Sequence, residues 1–158
     1  MKCFSSLGEI DGEYEAVTLF HVVEHLIDPR NTLNTIIDCL GVGGHLFIET
    51  PNCDDALLSL YNSHDFANFT YWSCHLYLFN IKTLKLLLRS LNRTIRIEYI
   101  KQIQRYPLSN HLHWLARGKP GGHEKWGFIN NDVLDAQYES VLASIGCCDT
   151  LLACLAIE

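Results

Sequence analysis

The stretch from Tyr14 to Asn52, YEAVTLFHVVEHLIDPRNTLNTIIDCLGVGGHLFIETPN, constrains the fold more than any other part of the chain. Ala16 to Phe20 is an apolar run broken only by Thr18, the pattern of a strand buried on both faces of a parallel sheet. Asp28 stands as N-cap before Pro29 at the first helical position, and Leu33, Ile36, Ile37 and Leu40 recur at helical spacing up to Gly41, just past the helix end. His45 to Thr50 reads as a second strand. A crossover of this kind is right-handed and delivers both strand C-termini to one sheet edge, beyond which ligands of such sheets bind.

Downstream, Asp54 to Tyr61 reads as a short helix, and Phe66 to Phe79 is aromatic-rich without a clean period. Asn80 caps a helix carrying Leu84, Leu87, Leu88 and Leu91 on one face. Thr94 to Gln104 is β-branched and mostly alternating, a strand with a bulge near Ile100. Arg105 to Ile129 is expected to be a loop, a long insertion at about 105–130 that is either a cap over a ligand or a disordered excursion. A helix from about Asp132 to Ile145, stopped by Gly146, and an apolar strand from Thr150 to Ile157 complete the chain. No internal repeat marks a division, so 1–158 is expected to form a single domain.

Composition removes several classes of function. With 158 residues and 48% hydrophobic content the chain has ample material for a core. A net charge of −6 with only twelve Lys and Arg, scattered, lacks the basic footprint of a nucleic-acid binder. No apolar run is long enough to span a membrane, and residues 1–10 open no secretory apolar core. The seven cysteines are odd in number and form no C-x-x-C pair, which points to reduced thiols and a cytoplasmic protein.

The Tyr14 to Asn52 stretch resembles the middle of class I S-adenosylmethionine-dependent methyltransferases, with their D-x-V-x-x-x-x-V-x-E-H-x-x-D-P stretch, L-x-P-G-G turn and following strand. The element order beyond it is similar to the fourth to seventh strands of that fold, in which the last strand inserts antiparallel beside the fifth. The resemblance implies an α/β fold, a partial Rossmann-like methyltransferase sheet equivalent to strands four to seven. It also implies S-adenosylmethionine as cofactor and a small-molecule acceptor. The family's first strands and Gly-rich cofactor loop have no counterpart in this sequence. Gly41-Val42-Gly43-Gly44 does not replace that loop, since it follows a helix and opens a strand. The chain is therefore expected to be N-terminally truncated and to self-associate through an exposed sheet edge.

By the resemblance, Phe20 and His21 would line the methionine side of the cofactor pocket. His21 and His25 are the candidate catalytic residues, against the alternative that Glu24 and His25 merely hold the turn through hydrogen bonds. Glu49 and Asn52 close the second strand where the family presents groups to the acceptor, although Asn52 equally suits a helix cap. Tyr71, His75 and Tyr77 are candidate walls of an acceptor pocket. His111 joins them as a substrate-side candidate, with His113 and His123 in the same long loop; surface exposure is the default expectation for all three.

His21-Val22-Val23-Glu24-His25 also has the H-x-x-E-H spacing of inverted zinc peptidases. Those need a long helix, and the space between a strand and Asp28-Pro29 is too short for one. In the ubiquinone-biosynthesis O-methyltransferases the corresponding E-x-x-E-H is associated with a divalent metal. Here His21 takes the place of the first Glu, and no residue is assigned to a metal. The loop sequence RYPLSNHLHWLARGKPGGH is similar to one in methyltransferases near polysaccharide biosynthesis, which points to a sugar or nucleotide-sugar acceptor. The competing reading is a non-catalytic remnant that serves as an interaction module through its open sheet edge.

Overall fold

A computed structural model describes Cys3, residues 5–10 and residues 12–158. Strand β1 (Tyr14–Phe20) leads through a single 3-10 turn, Val23–His25, into helix α1 (Pro29–Asp38) and strand β2 (Leu40–Pro51). The Asp28 carboxylate accepts from the Asn31 amide at 2.9 Å, and Pro29 at the first position needs no partner for its missing N–H. The helix stops at Asp38, so Gly41 is not its cap. Gly41 to Gly44 instead begin β2, and the β1 register jumps from Tyr14 opposite Leu40 to Ala16 opposite His45. Gly44 packs there against two backbone carbonyls, and a Cβ would lie 2.9 Å from Gly41 O and 3.0 Å from Tyr14 O.

Short helices α2 (Ala56–Ser59) and α3 (His64–Thr70) follow, then α4 (Ile81–Arg89) and strand β3 (Ile95–Ile103). Asn80 and Thr83 form a reciprocal capping box at the start of α4. The β3 bulge lies between Ile97 and Tyr99, earlier than the pattern suggested. Residues 105–129 are not a loop. They fold into α5 (Leu108–Arg117), α6 (Gly122–Lys125) and a final 3-10 turn, Gly127–Ile129. Helix α7 (Asp132–Ile145) ends at Gly146 with φ 80, and strand β4 (Thr150–Ile157) closes the sheet.

The sheet order is β1-β2-β4-β3, with β1 parallel to β2 and β4 antiparallel to both its neighbours. Helices α1 and α4 cover one face through Leu33, Ile36, Ile37, Leu84 and Leu88, packed against Leu46, Ile48, Leu151, Ala153 and Leu155. A smaller cluster of Ala56, Leu142, Cys147 and Cys148 joins α2 to α7. All seven cysteines are free thiols. No helix among the described residues is long and apolar enough to cross a membrane.

β1 departs from the expectation of burial on both faces. Among the described residues it bonds only β2, leaving its other margin unpaired there, and of its residues only Leu19 is buried while Ala16, Thr18 and Phe20 are exposed. An apolar strand with an open margin is a template for another strand. The core, by contrast, is carried by β2 and β4. Leu155→Ala, at a fully buried position between Leu46 and Ile97, is expected to cost about 2–5 kcal/mol in urea unfolding, whereas Ile27→Ala, 87% exposed, stays within about 0.5 kcal/mol.

Candidate functional site

The tips of β1 and β2 lie side by side. The His21 amide donates to Glu49 O at 2.9 Å, one residue beyond the regular ladder. His21 holds φ 54, a left-handed conformation rare outside glycine, and it reverses the chain from strand into the 3-10 turn. That turn swings Glu24 inward until its side chain is fully buried, with Thr50 Oγ1 donating to Glu24 Oε2 at 3.1 Å. Glu24 Oε1 faces His21 Nδ1 at 3.3 Å without the alignment of a good hydrogen bond.

His21 thus sits among carboxylates, with Nε2 at 3.0 Å from Glu49 Oε1. Arg105, just past the end of β3, reaches the same place, its Nη1 at 3.3 Å from Glu49 Oε1 and in contact with His21 Nε2. The Glu24 carboxylate facing Nδ1 raises the His21 pKa above its ordinary value, against burial and the Arg105 charge. Burial would raise the Glu24 carboxyl, but His21, the turn backbone and Thr50 together bring it below the usual value. The histidine therefore has a buried carboxylate on one ring nitrogen and its other nitrogen toward Glu49, Arg105 and an adjoining cavity.

That cavity, about 300 Å³, opens beyond the strand tips. His21, Glu24 and His25 line it after β1, Asn52 and Asp55 between β2 and α2, Arg105 just past β3 and Asp149 just before β4. Phe66 and Phe69 of α3 and Trp114 of α5 form its apolar wall, with ring centroids of the Phe66–Trp114 pair 5.1 Å apart. Helix α5 is held close by α6: a Cβ on Gly122 would lie 2.5 Å from both Ser109 O and His113 Cβ. His111 and His113 are consequently buried, not on the surface. Burial depresses the His111 pKa to about 4, so the ring is neutral, with Nδ1 at 2.8 Å from Tyr138 Oη.

Of the residues the sequence nominated, His21, His25, Asn52, His75 and His111 meet at this cavity. Glu49 bonds His21 from just outside its lining. Phe20 ends β1 and is 54% exposed, off the cavity. Tyr71 and Tyr77 do not wall it either. Tyr71 is 59% exposed, and Tyr77 Oη donates to Ile27 O at 3.3 Å, tying the aromatic segment to the turn before α1. Asn52 does not cap α2, because Asp55 does so by accepting from Leu57 N at 2.7 Å; Asn52 instead donates to Cys148 O at 2.8 Å. The peptidase arrangement is absent, since Val23–His25 is one 3-10 turn and gives the two histidines no common helix.

Sequence reasoning missed Arg105, Asp149 and the α3 and α5 aromatics. Asp149 accepts from the Arg105 and Tyr106 amides, each at 2.9 Å, which fixes the exit of β3 and aims Arg105 at the site. The D-T pair opening β4 was its only trace in the sequence. Arg105 left no local signal at all.

Residues 3–96 match the family described as a methyltransferase domain, more than half of the 158 residues. The chain belongs to this methyltransferase-domain family. No curated protein sequence matches it. Among solved structures it is similar to a SAM-dependent methyltransferase from Archaeoglobus fulgidus, at 22% identity and TM-score 0.50 over 96% of this chain and 63% of that one. It is also similar to the methyltransferase held in complex with the Trm112 activator of Haloferax volcanii, at 14% identity and TM-score 0.54 over 94% and 56%. The third is the [4+2]-cyclase SpnF, at 14% identity and TM-score 0.52 over 99% and 56%.

These identities establish a shared fold, the partial Rossmann-like sheet with its antiparallel last strand. This methyltransferase domain spans less than two thirds of the length of each of the three. The cofactor expected of the family is S-adenosylmethionine. The residues present fit only one end of it. His21, at the β1 tip, opens onto the cavity, while Phe20 and the unpaired margin of β1 face outward, and the described residues hold no glycine loop that follows a strand and opens a helix.

Asp55 supplies a test of the cavity's electrostatics. Burial lifts its carboxyl from the ordinary 3.8 to about 7, opposed by the Leu57 amide and reinforced by Asp149; Tyr138 and Cys148 also face it. Between those two values the folded state holds more protons than the unfolded one, so this group's contribution to stability falls as pH rises from about 4 to about 7. Asp55→Asn keeps an acceptor for Leu57 N and removes the titration. Melting curves should show the variant gaining on the parent steadily across that window and levelling above it, whereas parallel curves would refute the burial.

Proposed function

We propose that this methyltransferase domain serves S-adenosylmethionine-dependent methyl transfer to a small-molecule acceptor, with a sugar or nucleotide-sugar as the acceptor class. The observation that carries the reading is the cavity at the adjoining tips of two parallel strands, into which His21 presents a ring nitrogen backed by buried Glu24. S-adenosylmethionine supplies an electrophilic sulfonium methyl and leaves as the neutral thioether. The chain's own residues supply alignment and a place for the acceptor's proton. Orientation is worth about 7–11 kcal/mol in favourable cases, more than the roughly 10²–10⁴ in rate that a positioned base adds.

In this reading the acceptor hydroxyl loses its proton to His21 Nε2 as its oxygen attacks the methyl. Glu24 at Nδ1 orients the ring and stabilises the imidazolium, a base with an orienting carboxylate. Arg105 and Glu49 hold hydroxyl or charged substituents of the acceptor, and Phe66, Phe69 and Trp114 take its apolar face. His25 remains a candidate catalytic group, His75, His111 and Asn52 border the acceptor, and Phe20 lies toward the cofactor's methionine side.

The open margin of β1 bears on how the site is completed. A further strand bonded there would bring the rest of the cofactor site beside Phe20, and it comes either from the same polypeptide or from another copy. The same open margin favours the second reading, in which the domain is a non-catalytic interaction module pairing through β1. A protein partner is also in keeping with the activator-bound relative.

Calorimetry separates the two. Saturable micromolar binding of S-adenosylmethionine, together with a kcat lowered about 10²–10⁴-fold by His21→Ala, is the expected result. No cofactor binding would leave only the interaction module.

A further inference from the structure

Three side chains beside the cavity form a group that the reaction outlined above does not use as such. Glu24, His25 and His75 each place one ligand atom within 4.8 Å of the other two. Backbone bonds bring them together: the Leu76 and Tyr77 amides both donate to Glu24 O, at 2.9 and 3.2 Å, and so clamp the aromatic segment onto the turn after β1. The His25 and His75 rings then stand 4.9 Å apart, centroid to centroid.

Both rings have their tautomer fixed. His25 Nδ1 is 2.7 Å from Cys74 O and His75 Nδ1 is 2.8 Å from Thr70 O, so in each ring Nδ1–H donates to a carbonyl and Nε2 keeps its lone pair. An imidazole donating its other N–H to a backbone carbonyl is the usual arrangement of a metal-ligating histidine. The third member, Glu24, is fully buried, and its Oε1 makes no well-formed hydrogen bond while lying 3.9 Å from His25 Nε2. A buried carboxylate oxygen left this way is costly, and a cation between it and two imidazole lone pairs removes the cost.

We infer that Glu24, His25 and His75 form a binding site for a divalent first-row transition ion of the Zn²⁺ class, with its remaining coordination position toward the cavity they line. Two imidazoles and one carboxylate suit Zn²⁺, Co²⁺ or Fe²⁺ and not Mg²⁺ or Ca²⁺, which take oxygen ligands. Three protein ligands leave a position open, as in catalytic and not structural zinc sites. Ligand atoms about 2.0–2.1 Å from a tetrahedral ion lie closer together than the present set, so loading draws the two rings inward. Thr50 at Oε2 and His21 beside Oε1 hold the carboxylate from behind. Ion binding requires neither cofactor nor acceptor, so it can be read independently of the methyl-transfer reading, with which it shares Glu24 and His25.

The test is a Co²⁺ titration of the metal-free chain followed by visible absorption, with Zn²⁺ as competitor. The expected result is one saturable site with a nitrogen and oxygen ligand-field spectrum, displaced by Zn²⁺, with binding weakened at least about 10-fold in His25→Ala and in His75→Ala. Exposed His64→Ala is the comparison variant and should bind as the parent does. Circular dichroism confirms that the two histidine variants, whose rings are partly exposed, remain folded. Absence of saturable binding, a thiolate charge-transfer band from the cysteines, or unchanged affinity in both folded histidine variants would overturn the site.

Discussion

One buried carboxylate organises this end of the molecule. Glu24 lies in the single turn between β1 and α1, yet it bonds Thr50 at the end of β2, faces His21 and, through its backbone carbonyl, holds Leu76 and Tyr77. A charge taken fully out of water is tolerated only when its neighbours satisfy it, and here those neighbours come from β1, β2 and the segment after α3. The positions of His21, His25 and His75 all follow from that requirement. Glu24 joins the bond from the His21 amide to Glu49 O in holding the left-handed kink at His21.

The parts of the fold that could be read in the sequence are those whose physics is local. Asp28-Pro29, Asn80 with Thr83, and Gly146 mark helix ends by capping chemistry, and the aliphatic runs of β2 and β4 reflect burial on a sheet. Helix α5 escaped because its buried face is Ser109, Asn110, His111, His113 and Trp114, which carry no aliphatic period. Pro107 before it and Gly118 in the left-handed region after it were the available signals, and they were read as loop residues. His21 and His25 were visible from their place after a strand. Arg105 was not, since it arrives through backbone bonds to Asp149 that no spacing encodes, and His75, nominated from its aromatic segment, owes its place beside Glu24 to backbone bonds that are equally long-range.

The two edges of the sheet differ in a way that bears on function. β3 bonds only β4, yet helices α4 and α7 contact it, whereas β1 presents an open margin together with an exposed apolar face. The catalytic candidates hang from the less protected strand. The relatives of this fold, a SAM-dependent methyltransferase and a cyclase among them, show that the sheet itself does not dictate the reaction.

The anchoring role of Glu24 is best measured by a double-mutant cycle pairing Glu24→Gln with Thr50→Val in urea unfolding. A coupling of about 1–3 kcal/mol is predicted, because each partner satisfies the other in a buried setting. Additivity of the two substitutions within about 0.5 kcal/mol would mean that the two strand tips are not tied through this carboxylate, and would contradict the account.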